Sequence, residues 1–475
     1  MQWKKLARNT ASAKEPPKLD YLFYPKNVAV IGASNEKESV GYAIFENFHK
    51  NKHNWCEHVF PVNPNHGVIQ NHKSYKTVLD IPVDVDLVVI VVPAKFVPQV
   101  LKECIEKKVE TVIVISAGFS EIGEKKLTGE IAALIAQNPR TRVVGPNTFG
   151  IYVGDTGLNT TFSSKQKMNM PKNGTVAFIS QSGALGVTIL DWASTQEFGV
   201  SKFVSYGNAM DLDESDFLEY LGSDPKTKVI TVYLEGVKHG HKFLDISKKV
   251  TKQKPVIVLK GGVTEQAHAA TLSHTGSLAG ATRVYEAVFR QGGIIQAKTL
   301  QELFNFAKIF ETEPLMNGNR VQIITNGGGY GIISADRVIE SGLELAKLSD
   351  KNKSKLKKQF PPTVTISNPM DLVGDADEHR YIAAIQTALA DPGVDALMVL
   401  VLFSIPAIGK GLVTQLSSIK KTAKKPIVVV STGSQFTEQM RRELEKNGIP
   451  TFKYPEIAAT SLKALSDYSA FRQDR

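Results

Sequence analysis

The chain has 475 residues, a length that predicts about three domains of ordinary size and excludes a single small module. Hydrophobic residues make up 42% of the chain and charged residues 22%, which excludes a disordered or collagen-like protein. The formal net charge of +10 would suit an anionic partner, but the lysines are spread out and their local runs at 351–358 and 420–425 lack interleaved aromatic residues. We interpret these runs as solvated helix faces, with a small polyanionic ligand as the alternative, and expect no nucleic acid partner.

The cysteines and the apolar runs set the expected compartment. Cys56 and Cys104 stand in no CxxC or CxxH spacing, so neither a disulfide framework nor a thiolate metal site is expected. The longest apolar run, Leu87–Pro93, is far shorter than the roughly 20 residues of a membrane span. Residues 1–19 form a basic N-terminal tail without the apolar core of a signal peptide. We expect a cytoplasmic protein with no metal site and no membrane partner.

Short β-branched runs alternate with amphipathic stretches, a pattern that predicts parallel sheets covered by helices on both faces. The strands predicted within residues 20–150 are Val28–Ile31, Val59–Val62, Leu87–Val92, Val112–Ile115 and Arg142–Val144. Those within residues 151–312 are Val176–Ile179, Lys202–Val204, Val229–Leu234, Val256–Leu259 and Ile294–Ile295. Those within residues 313–475 are Val321–Thr325, Leu397–Leu402, Ile427–Val430 and Pro450–Phe452. We predict an α/β protein with a Rossmann-like first domain and two flavodoxin-like doubly wound domains, each with five strands.

The second and third domains look like copies of one another, because matching segments occur in both in the same order. The paired segments begin at residues 176 and 321, 208 and 368, 224 and 391, 254 and 425, and 293 and 448. The offset between partners grows from 145 to 171 over the first four pairs and then falls to 155. The second domain therefore carries 16 additional residues between Gly262 and Gly293.

Two features occur only in the second domain and have no counterpart in the third. One is the additional loop, residues 261–280, which contains His268 and His274, and the other is Glu235. Glu235 stands at the end of a predicted strand, where the third domain has Leu402. Ligands bind at the carboxyl ends of strands in open parallel sheets, so the carboxylate and the histidine loop can meet there. We predict that a His–Glu pair carries the chemistry, since an imidazole attacks phosphorus or carbonyl carbon while a carboxylate fixes its tautomer.

Each member of this pair has a structural alternative. His274 could instead satisfy a main-chain carbonyl within the loop, and His268 is the competing nucleophile. Glu235 could be a buried carboxylate paired with a lysine such as Lys260. The pair by itself leaves open whether the reaction takes place at phosphorus or at carbon.

Glycine-rich turns favour phosphorus. Ser180–Gly186 and Thr325–Gly331 each follow an apolar strand and open a helix, which leaves main-chain N–H groups and a positive dipole end uncovered. The phosphate-binding residues predicted on these two turns are Ser180, Gln181, Ser182, Gly183, Asn326, Gly327, Gly328 and Gly329. Tight packing of strand against helix is the alternative for either turn, and Ser182 and Asn326 could simply be helix N-caps.

The first domain opens with a different turn, Ile31–Gly41, which is not the GxGxxG fingerprint of dinucleotide binding. Its second strand ends in Asn63-Pro64, where an NAD-binding domain carries an acidic residue for the ribose. These features disfavour a nicotinamide-dependent dehydrogenase. The turn still offers a helix N-terminus to a phosphate-bearing ligand such as a CoA nucleotide.

Nine segments carry a family resemblance: VAVIGAS (28–34), PVNP (61–64), VGPNTFG (144–150), SQSGALG (180–186), YGNAMDLD (206–213), YLEG (233–236), SHTGSLAG (273–280), TNGGGYG (325–331) and NPMDLVG (368–374). They resemble the α subunit, or α part, of nucleoside-diphosphate-forming acyl-CoA synthetases of the ADP-forming acetyl-CoA synthetase type, relatives of succinyl-CoA synthetase. The likeness runs from about residue 20 to the end of the chain.

The resemblance implies a reaction that interconverts an acyl-CoA, ADP and phosphate with the free acid, CoA and ATP. The family's phosphorylated histidine falls on His274, and its histidine-supporting glutamate falls on Glu235. Phosphate would attack the acyl-CoA to give a bound acyl phosphate, His274 would take the phosphoryl group, and a swinging loop would deliver it to ADP.

The resemblance also implies that the first domain is a Rossmann-like CoA-binding domain. The implied CoA contacts are Gly32, Ala33, Ser34, Val40, Gly41, Asn63, Pro64, Val92, Pro93, Ser116, Ala117, Gly118 and Asn147. The chain departs from the family pattern at Asn65, because family members often carry a lysine directly after the Asn-Pro pair. This departure puts one phosphate contact to CoA in question.

The nucleotide site is expected on another polypeptide. The sequence contains no Walker A motif, and the three α/β domains use up the chain. In the family an ATP-grasp module is fused or forms a β subunit, so the resemblance implies a separate β subunit, in an α2β2 heterotetramer, that binds ADP or ATP with Mg2+. Two other functions stay open: a CoA-binding regulatory or scaffold protein of this fold, and a phosphate-independent CoA transferase with Glu235 as acyl carrier.

Overall fold

The computed structural model describes residues 19–50, 56–163, 168–264 and 282–473. In these ranges the chain forms three α/β units in series, each with a mainly parallel sheet between helices, which confirms the predicted fold class. None of the helices in these ranges combines the length and apolar character needed to cross a membrane.

The first unit is built on a five-stranded parallel sheet, as predicted. Its strands are β1 (Asn27–Ile31), β2 (His58–Val62), β3 (Val68–Ile69), β4 (His72–Lys73), β5 (Leu87–Ile90), β6 (Thr111–Val114) and β7 (Arg142–Val144). The sheet order is β2-β1-β5-β6-β7, and β3 and β4 form a separate antiparallel ribbon. Its helices are Asp20–Phe23, Val40–Lys50, Val97–Glu106 and Lys125–Gln137.

The second unit has a six-stranded sheet, so the prediction of five strands was wrong here. Its strands are β8 (Ile151–Val153), β9 (Asn173–Ser180), β10 (Val200–Ser205), β11 (Val229–Leu234), β12 (Val256–Lys260) and β13 (Ile295–Ala297), in the order β13-β12-β11-β9-β10-β8. The additional strand, β8, is antiparallel to β10 and has only three residues, too few for a clear apolar run. The helices of this unit are Gly183–Ser194, Glu214–Ser223, Gly240–Val250, Thr282–Gly292 and Leu300–Thr312.

The third unit has a seven-stranded sheet, and here too five strands were predicted. Its strands are β14 (Arg320–Thr325), β15 (Glu344–Leu345), β16 (Thr365–Ile366), β17 (Met370–Asp371), β18 (Ala396–Leu400), β19 (Ile427–Val430) and β20 (Thr451–Phe452). The order is β16-β17-β14-β18-β19-β20, with β15 also paired to β14. β15, β16 and β17 have two residues each, which leaves no periodic signal in the sequence. The helices are Gly328–Glu340, Asp350–Gln359, Glu378–Ala390, Lys410–Lys420, Gln435–Lys446 and Pro455–Gln473.

The second and third sheets repeat one arrangement, which confirms the predicted duplication. The order β13-β12-β11-β9-β10 corresponds to β20-β19-β18-β14-β17, and neighbouring strands are parallel in both. Lys254 and Lys425, which are matched in the two sequences, each donate to the main-chain carbonyl of an Asp-Pro aspartate, Asp224 and Asp391 respectively.

Neighbouring units share their apolar cores. One cluster of buried side chains joins Val30 of the first sheet to Ile179 of the second, and another joins Phe178 of the second sheet to Ile323 of the third. Phe178 and Ile179 are adjacent on β9 and therefore point to opposite faces of its sheet. Buried contacts thus bring the strand ends of the first unit next to those of the second. The domain boundaries after residues 150 and 312 stay predictions.

A buried ion pair anchors the short helix Asp20–Phe23 to the second unit. Lys202, whose side chain is fully buried in β10, donates to Asp224 at 2.7 Å and to the hydroxyl of Tyr24 at 3.0 Å. Burial acts to raise the pKa of Asp224, but the hydrogen bonds that it accepts, that from Lys202 first, outweigh burial and hold the pKa below its usual value.

Candidate active site

A cavity of about 960 Å³ opens between the first and second units. Most of the segments that line it follow β5, β6, β7, β9, β10 and β11, so it lies at the carboxyl ends of strands from both sheets. This edge is where open parallel sheets bind their ligands.

Predicted residues from two domains meet in this cavity. Those that line it are Val40, Val92, Pro93, Ser116, Ala117, Asn147, Gln181, Ser182, Gly183 and Glu235. The predicted CoA wall and the first predicted phosphate turn therefore share one space with the predicted catalytic carboxylate. Val92 reaches the cavity because β5 ends at Ile90, two residues before the end of the strand predicted there.

The remaining predicted residues of these turns do not line the cavity: Gly32, Ala33, Ser34, Gly41, Asn63, Pro64, Gly118 and Ser180. Several of them shape the turn between β1 and the helix Val40–Lys50. A Cβ atom on Gly41 would lie 2.0 Å from the carbonyl oxygen of Gly32, so this close approach requires glycine. The amide of Asn63 donates to the carbonyl of Ala33 at 2.9 Å, which ties the turn to the end of β2.

Glu235 is a buried residue at the wall of the cavity, directly after β11. Its main-chain N–H donates to Oε1 of Gln181 at 2.7 Å, and the hydroxyl of Tyr233 donates to its carboxylate at 3.4 Å. Burial, and after it the negative charge of Glu235, raise the pKa of Tyr233 to about 12. Tyr233 is therefore protonated at neutral pH and able to donate to the carboxylate.

Two side-chain hydrogen bonds hold the first glycine-rich turn. The side chain of Ser182 accepts the N–H of Leu185, so Ser182 is the N-cap of the helix Gly183–Ser194, as the capping alternative proposed. Ser180 is fully buried and donates to the carbonyl of Ser182 at 2.7 Å. The role that the structure gives to Ser180 is to hold the turn, while Ser182 and Gly183 line the cavity.

Lys260 is a residue of this site to which sequence analysis gave no role beyond a possible pairing. Its ammonium donates to the main-chain oxygen of Glu235 at 2.9 Å and also to that of Gly261, and it lies 4.8 Å from the ring centre of Tyr285. Burial lowers the pKa of Lys260, although the charge of Glu235 opposes that effect. The offset of 171 pairs Lys260 with Ser431 in the third domain, so the same comparison that singled out Glu235 could have found it.

His268 and His274 lie outside the described residues. The two chain segments on either side of them meet, because the hydroxyl of Thr282 donates to the carbonyl of Val263 at 2.5 Å. Val263 stands three residues beyond β12, which is the neighbour of β11 in the sheet.

The second glycine-rich turn does not line this cavity. Oδ1 of Asn326 accepts the N–H of Leu402 at 3.0 Å, and Gly327 is the N-cap of the helix Gly328–Glu340. The suggestion that Asn326 is an N-cap was therefore wrong, because the amide is committed to the neighbouring strand end. A Cβ atom on Gly328 would lie 2.5 Å from a carboxylate oxygen of Asp371, so an acidic side chain adjoins this turn.

Three polar residues of the cavity wall, Glu121, Asn208 and Lys238, were not predicted from the sequence. They follow β6, β10 and β11 respectively, at the same edge as the predicted residues. Among the described residues there is no cluster of three His, Cys, Asp or Glu side chains that could hold a metal ion.

Comparison with known families and proteins identifies the chain. Three family models match in series: a CoA binding domain over residues 26–153, a succinyl-CoA ligase like flavodoxin domain over residues 173–310, and a Ligase-CoA domain over residues 321–470. The acetate–CoA ligase (ADP-forming) II subunit alpha of Pyrococcus furiosus is 41% identical over 456 residues, which span 94% of this chain and 97% of that protein. The chain belongs to the ADP-forming acetate–CoA ligase family. The predicted resemblance is confirmed.

Longer relatives and a solved structure extend this result. The ADP-forming acetate–CoA ligase of Methanocaldococcus jannaschii is 41% identical over 458 residues, which span 96% of this chain and 64% of that protein. The dinucleotide forming acetyl-coenzyme A synthetase 1 of Ca. Korarchaeum cryptofilum, solved in complex with phosphate and ADP, superposes with a TM-score of 0.89 at 35% identity. This match covers 96% of the present chain and 98% of that chain, so all three units have the family fold.

Proposed function

We propose that this chain is the α subunit of an ADP-forming acyl-CoA ligase, which interconverts an acyl-CoA, ADP and phosphate with a carboxylic acid, CoA and ATP. Its nucleophile is the imidazole of His274, which carries the phosphoryl group from an acyl phosphate towards the nucleotide. The observation that supports the proposal most is the shared cavity, in which the predicted CoA residues Ser116 and Asn147 line the same space as Ser182 and Glu235.

The first step takes place at the start of the helix Gly183–Ser194. Main-chain N–H groups and the positive end of the helix dipole favour a phosphate dianion at this position. A phosphate oxygen attacks the thioester carbonyl carbon, the carbon–sulfur bond breaks, and CoA leaves as its thiolate while an acyl phosphate forms. Val92, Ser116 and Asn147 line the cavity from the first unit and are placed to hold the CoA arm beside this helix start.

In the second step the neutral imidazole of His274 attacks phosphorus, and the bond from phosphorus to the acyl oxygen breaks, which releases the free acid. Glu235 accepts the N–H of the other ring nitrogen, fixes the tautomer and stabilises the imidazolium that forms. The hydrogen bond between Thr282 and Val263 supports this role, because it holds both ends of the histidine loop near the end of β12. The phosphoryl group then passes from His274 to ADP.

The nucleotide and its Mg2+ belong, in this proposal, to an ATP-grasp β subunit in an α2β2 assembly. The support is the length of two relatives. The chain matches 97% of a P. furiosus protein named subunit alpha but only 64% of the longer M. jannaschii ligase. The proposal includes a cytoplasmic location, which suits the two free thiols Cys56 and Cys104.

Labelling with radioactive phosphate in the presence of acetyl-CoA tests the nucleophile. The full chain should acquire acid-labile, base-stable label, and His274→Asn should acquire none. His268→Asn is the matched control and should be labelled as the unaltered chain is. Label that persisted in His274→Asn would remove this histidine from the mechanism.

A second assay tests the partner and the need for phosphate. The purified chain with acetyl-CoA, ADP and phosphate should make no ATP until the β subunit is added. Full turnover by the chain alone would refute the need for a partner. Turnover of acyl-CoA that continued after phosphate was withdrawn would instead indicate the phosphate-independent transferase.

A further inference from the structure

A row of side chains crosses the cavity wall from the first unit to the second. Oε1 of Glu121 accepts the N–H groups of Gly118 at 2.5 Å and Phe119 at 3.1 Å, and its Oε2 accepts Nδ2 of Asn208 at 2.6 Å. Oδ1 of Asn208 in turn accepts Nδ2 of Asn147 at 3.3 Å. Glu121, Asn208 and Asn147 all line the cavity, and of these only Asn147 was among the predicted site residues.

The main chain holds Asn208 in place. A Cβ atom on Gly207, whose φ is +56°, would lie 2.3 Å from the carbonyl oxygens of Pro146 and Asn147, so the two loops are in direct contact. The N–H of Asn208 donates to the carbonyl of Pro146 at 2.9 Å, and its own carbonyl accepts from the ammonium of Lys238 at 2.7 Å. Asn208 therefore has a fixed position, and only the direction of its side-chain amide depends on the neighbouring side chains.

The carboxylate determines that direction. An ionised carboxylate only accepts hydrogen bonds, so Glu121 requires the Nδ2 end of the Asn208 amide to face it. Oδ1 of Asn208 then faces Asn147, which must offer its own Nδ2 in return. The side-chain oxygen of Asn147, Oδ1, is then available to accept a hydrogen bond from a ligand in the cavity.

The charge state of Glu121 is consistent with a carboxylate that accepts all of these hydrogen bonds. Burial acts to raise the pKa of Glu121, but the hydrogen bonds from Gly118 and Asn208 outweigh burial and lower the pKa below its usual value. The carboxylate is therefore ionised at neutral pH. A neutral glutamine at this position would keep its oxygen on the N–H groups of Gly118 and Phe119 and turn its amide nitrogen towards Asn208, which would reverse the direction of both asparagine amides.

We propose that Glu121 and Asn208 are positioning residues. They orient the side chain of Asn147 so that its Oδ1 accepts an amide N–H of the pantetheine arm of CoA. This inference rests on the proposed function, because it takes CoA as the ligand of the cavity. It adds two residues to the site and names the part of CoA that they serve. A phosphate group only accepts hydrogen bonds and would be repelled by the charge of Glu121, so an amide is the matching group at this wall.

Four variants of the full chain test the proposal by calorimetric titration with CoA. Glu121→Gln lets the row of amides reverse, and Asn208→Asp sets two carboxylates against each other. In the double variant Glu121→Gln/Asn208→Asp, the new amide donates to the new carboxylate, which still accepts Nδ2 of Asn147. Glu124→Gln is the matched control, since the carboxylate of Glu124 also accepts a main-chain N–H, from Lys126 at 3.0 Å, but does not line the cavity.

We expect each single substitution at Glu121 or Asn208 to weaken CoA binding about tenfold, because a hydrogen-bond donor then faces a donor or a charge faces a like charge. The double variant should recover to within about threefold of the unaltered chain, as coupled residues do in a double-mutant cycle. Glu124→Gln should bind CoA as the unaltered chain does. Recovery in the double variant shows that the direction of the hydrogen bond, and not the loss of either side chain, changes CoA binding.

The reconstituted enzyme supplies a second readout. Glu121→Gln should raise KM for CoA while kcat stays within about twofold. Phosphorylation of the chain from ATP through the β subunit needs no CoA and should be unchanged. Normal CoA binding by Glu121→Gln, or a folded double variant that did not recover, would overturn the inference and leave the proposed function standing. An unaltered chain that bound no CoA would overturn both.

Discussion

Gln181 accepts a hydrogen bond from the main-chain N–H of Glu235 at 2.7 Å, and this bond joins the glycine-rich turn after β9 to the end of β11, which carries the carboxylate. The third unit has the same bond between Asn326 and Leu402, at 3.0 Å. The two copies therefore share the connection between turn and strand end, while only the second unit places an acidic side chain at its end. A connection common to both copies thus positions a carboxylate that only one of them has.

Loss of this connection should slow the chemistry. Gln181→Leu leaves the N–H groups of Glu235 and Gly236 without their acceptor, so we expect phosphate labelling of the chain to slow about tenfold to a hundredfold. Asn368→Leu is the control, because Asn368 also accepts a main-chain N–H, from Ile323, but lies away from the cavity. It should lower the thermal midpoint and leave the labelling rate unchanged. Equal labelling rates in Gln181→Leu and the unaltered chain would contradict a role for this bond.

Lys260 should matter to the reaction as well as to stability. Lys260→Met removes the hydrogen bonds to the carbonyls of Glu235 and Gly261, so Glu235 can shift, and we expect labelling to slow about tenfold. Lys254→Met is the matched control, since Lys254 donates to the carbonyls of Leu221 and Asp224 outside the cavity. Both variants should lose a few degrees of thermal midpoint, but the slower labelling should appear only in Lys260→Met. The prediction fails if the two variants are labelled alike.

Glu214 should make the stability of the protein depend on pH. Burial, and after it the charge of Asp213, raise the pKa of Glu214 from 4.5 to about 7 in the folded chain. Ionisation is then easier in the unfolded chain, so the contribution of Glu214 is fully present below pH 4.5 and is lost as the pH rises through 7. The loss amounts to roughly 3 kcal/mol at pH 8.

Glu214→Gln removes this dependence, because glutamine stays neutral at every pH. We expect the variant to be more stable than the unaltered chain at pH 8 and the difference to shrink towards pH 5. Thermal midpoints of both proteins between pH 5 and pH 8 provide the measurement. Glu219→Gln, on the exposed side of the same helix, is the control for loss of a charge alone. A difference between Glu214→Gln and the unaltered chain that did not vary with pH would rule out the raised pKa as its cause.

We expect the buried ion pair between Lys202 and Asp224 to be the main contact that attaches the short helix Asp20–Phe23 to the second unit. Lys202→Met leaves the buried carboxylate of Asp224 without its cation, and we expect the free energy of unfolding in urea to fall by about 3–5 kcal/mol. The double variant Lys202→Met/Asp224→Asn should recover much of that loss, since no uncompensated charge remains. Lys226→Met, which breaks an exposed pair with Asp155, should cost less than about 1 kcal/mol. Equal losses of unfolding free energy in Lys202→Met and Lys226→Met would show that burial does not increase the contribution of the ion pair to stability.

The sequence by itself determined the fold class and the duplication. It also identified the two features, the histidine loop and Glu235, that occur in only one of the two copies. Parallel strands buried on both faces appear as short apolar runs, and β7, β11 and β19 have the bounds predicted for them. β8 and β15, with three and two residues, are too short for a periodic pattern and were missed, although β7, also with three residues, was predicted. Glu235 could be singled out because two copies of one domain can be compared position by position within a single chain.

Only the tertiary structure decided how the site is assembled. Glu121 and Asn208 are 87 positions apart and Gln181 and Glu235 are 54 apart, so no local pattern could show that they touch. The cavity itself exists because shared apolar cores bring the strand ends of two units together. Periodicity and composition report what each residue does within its own helix or strand, whereas hydrogen bonds between strand ends depend on how the sheets pack.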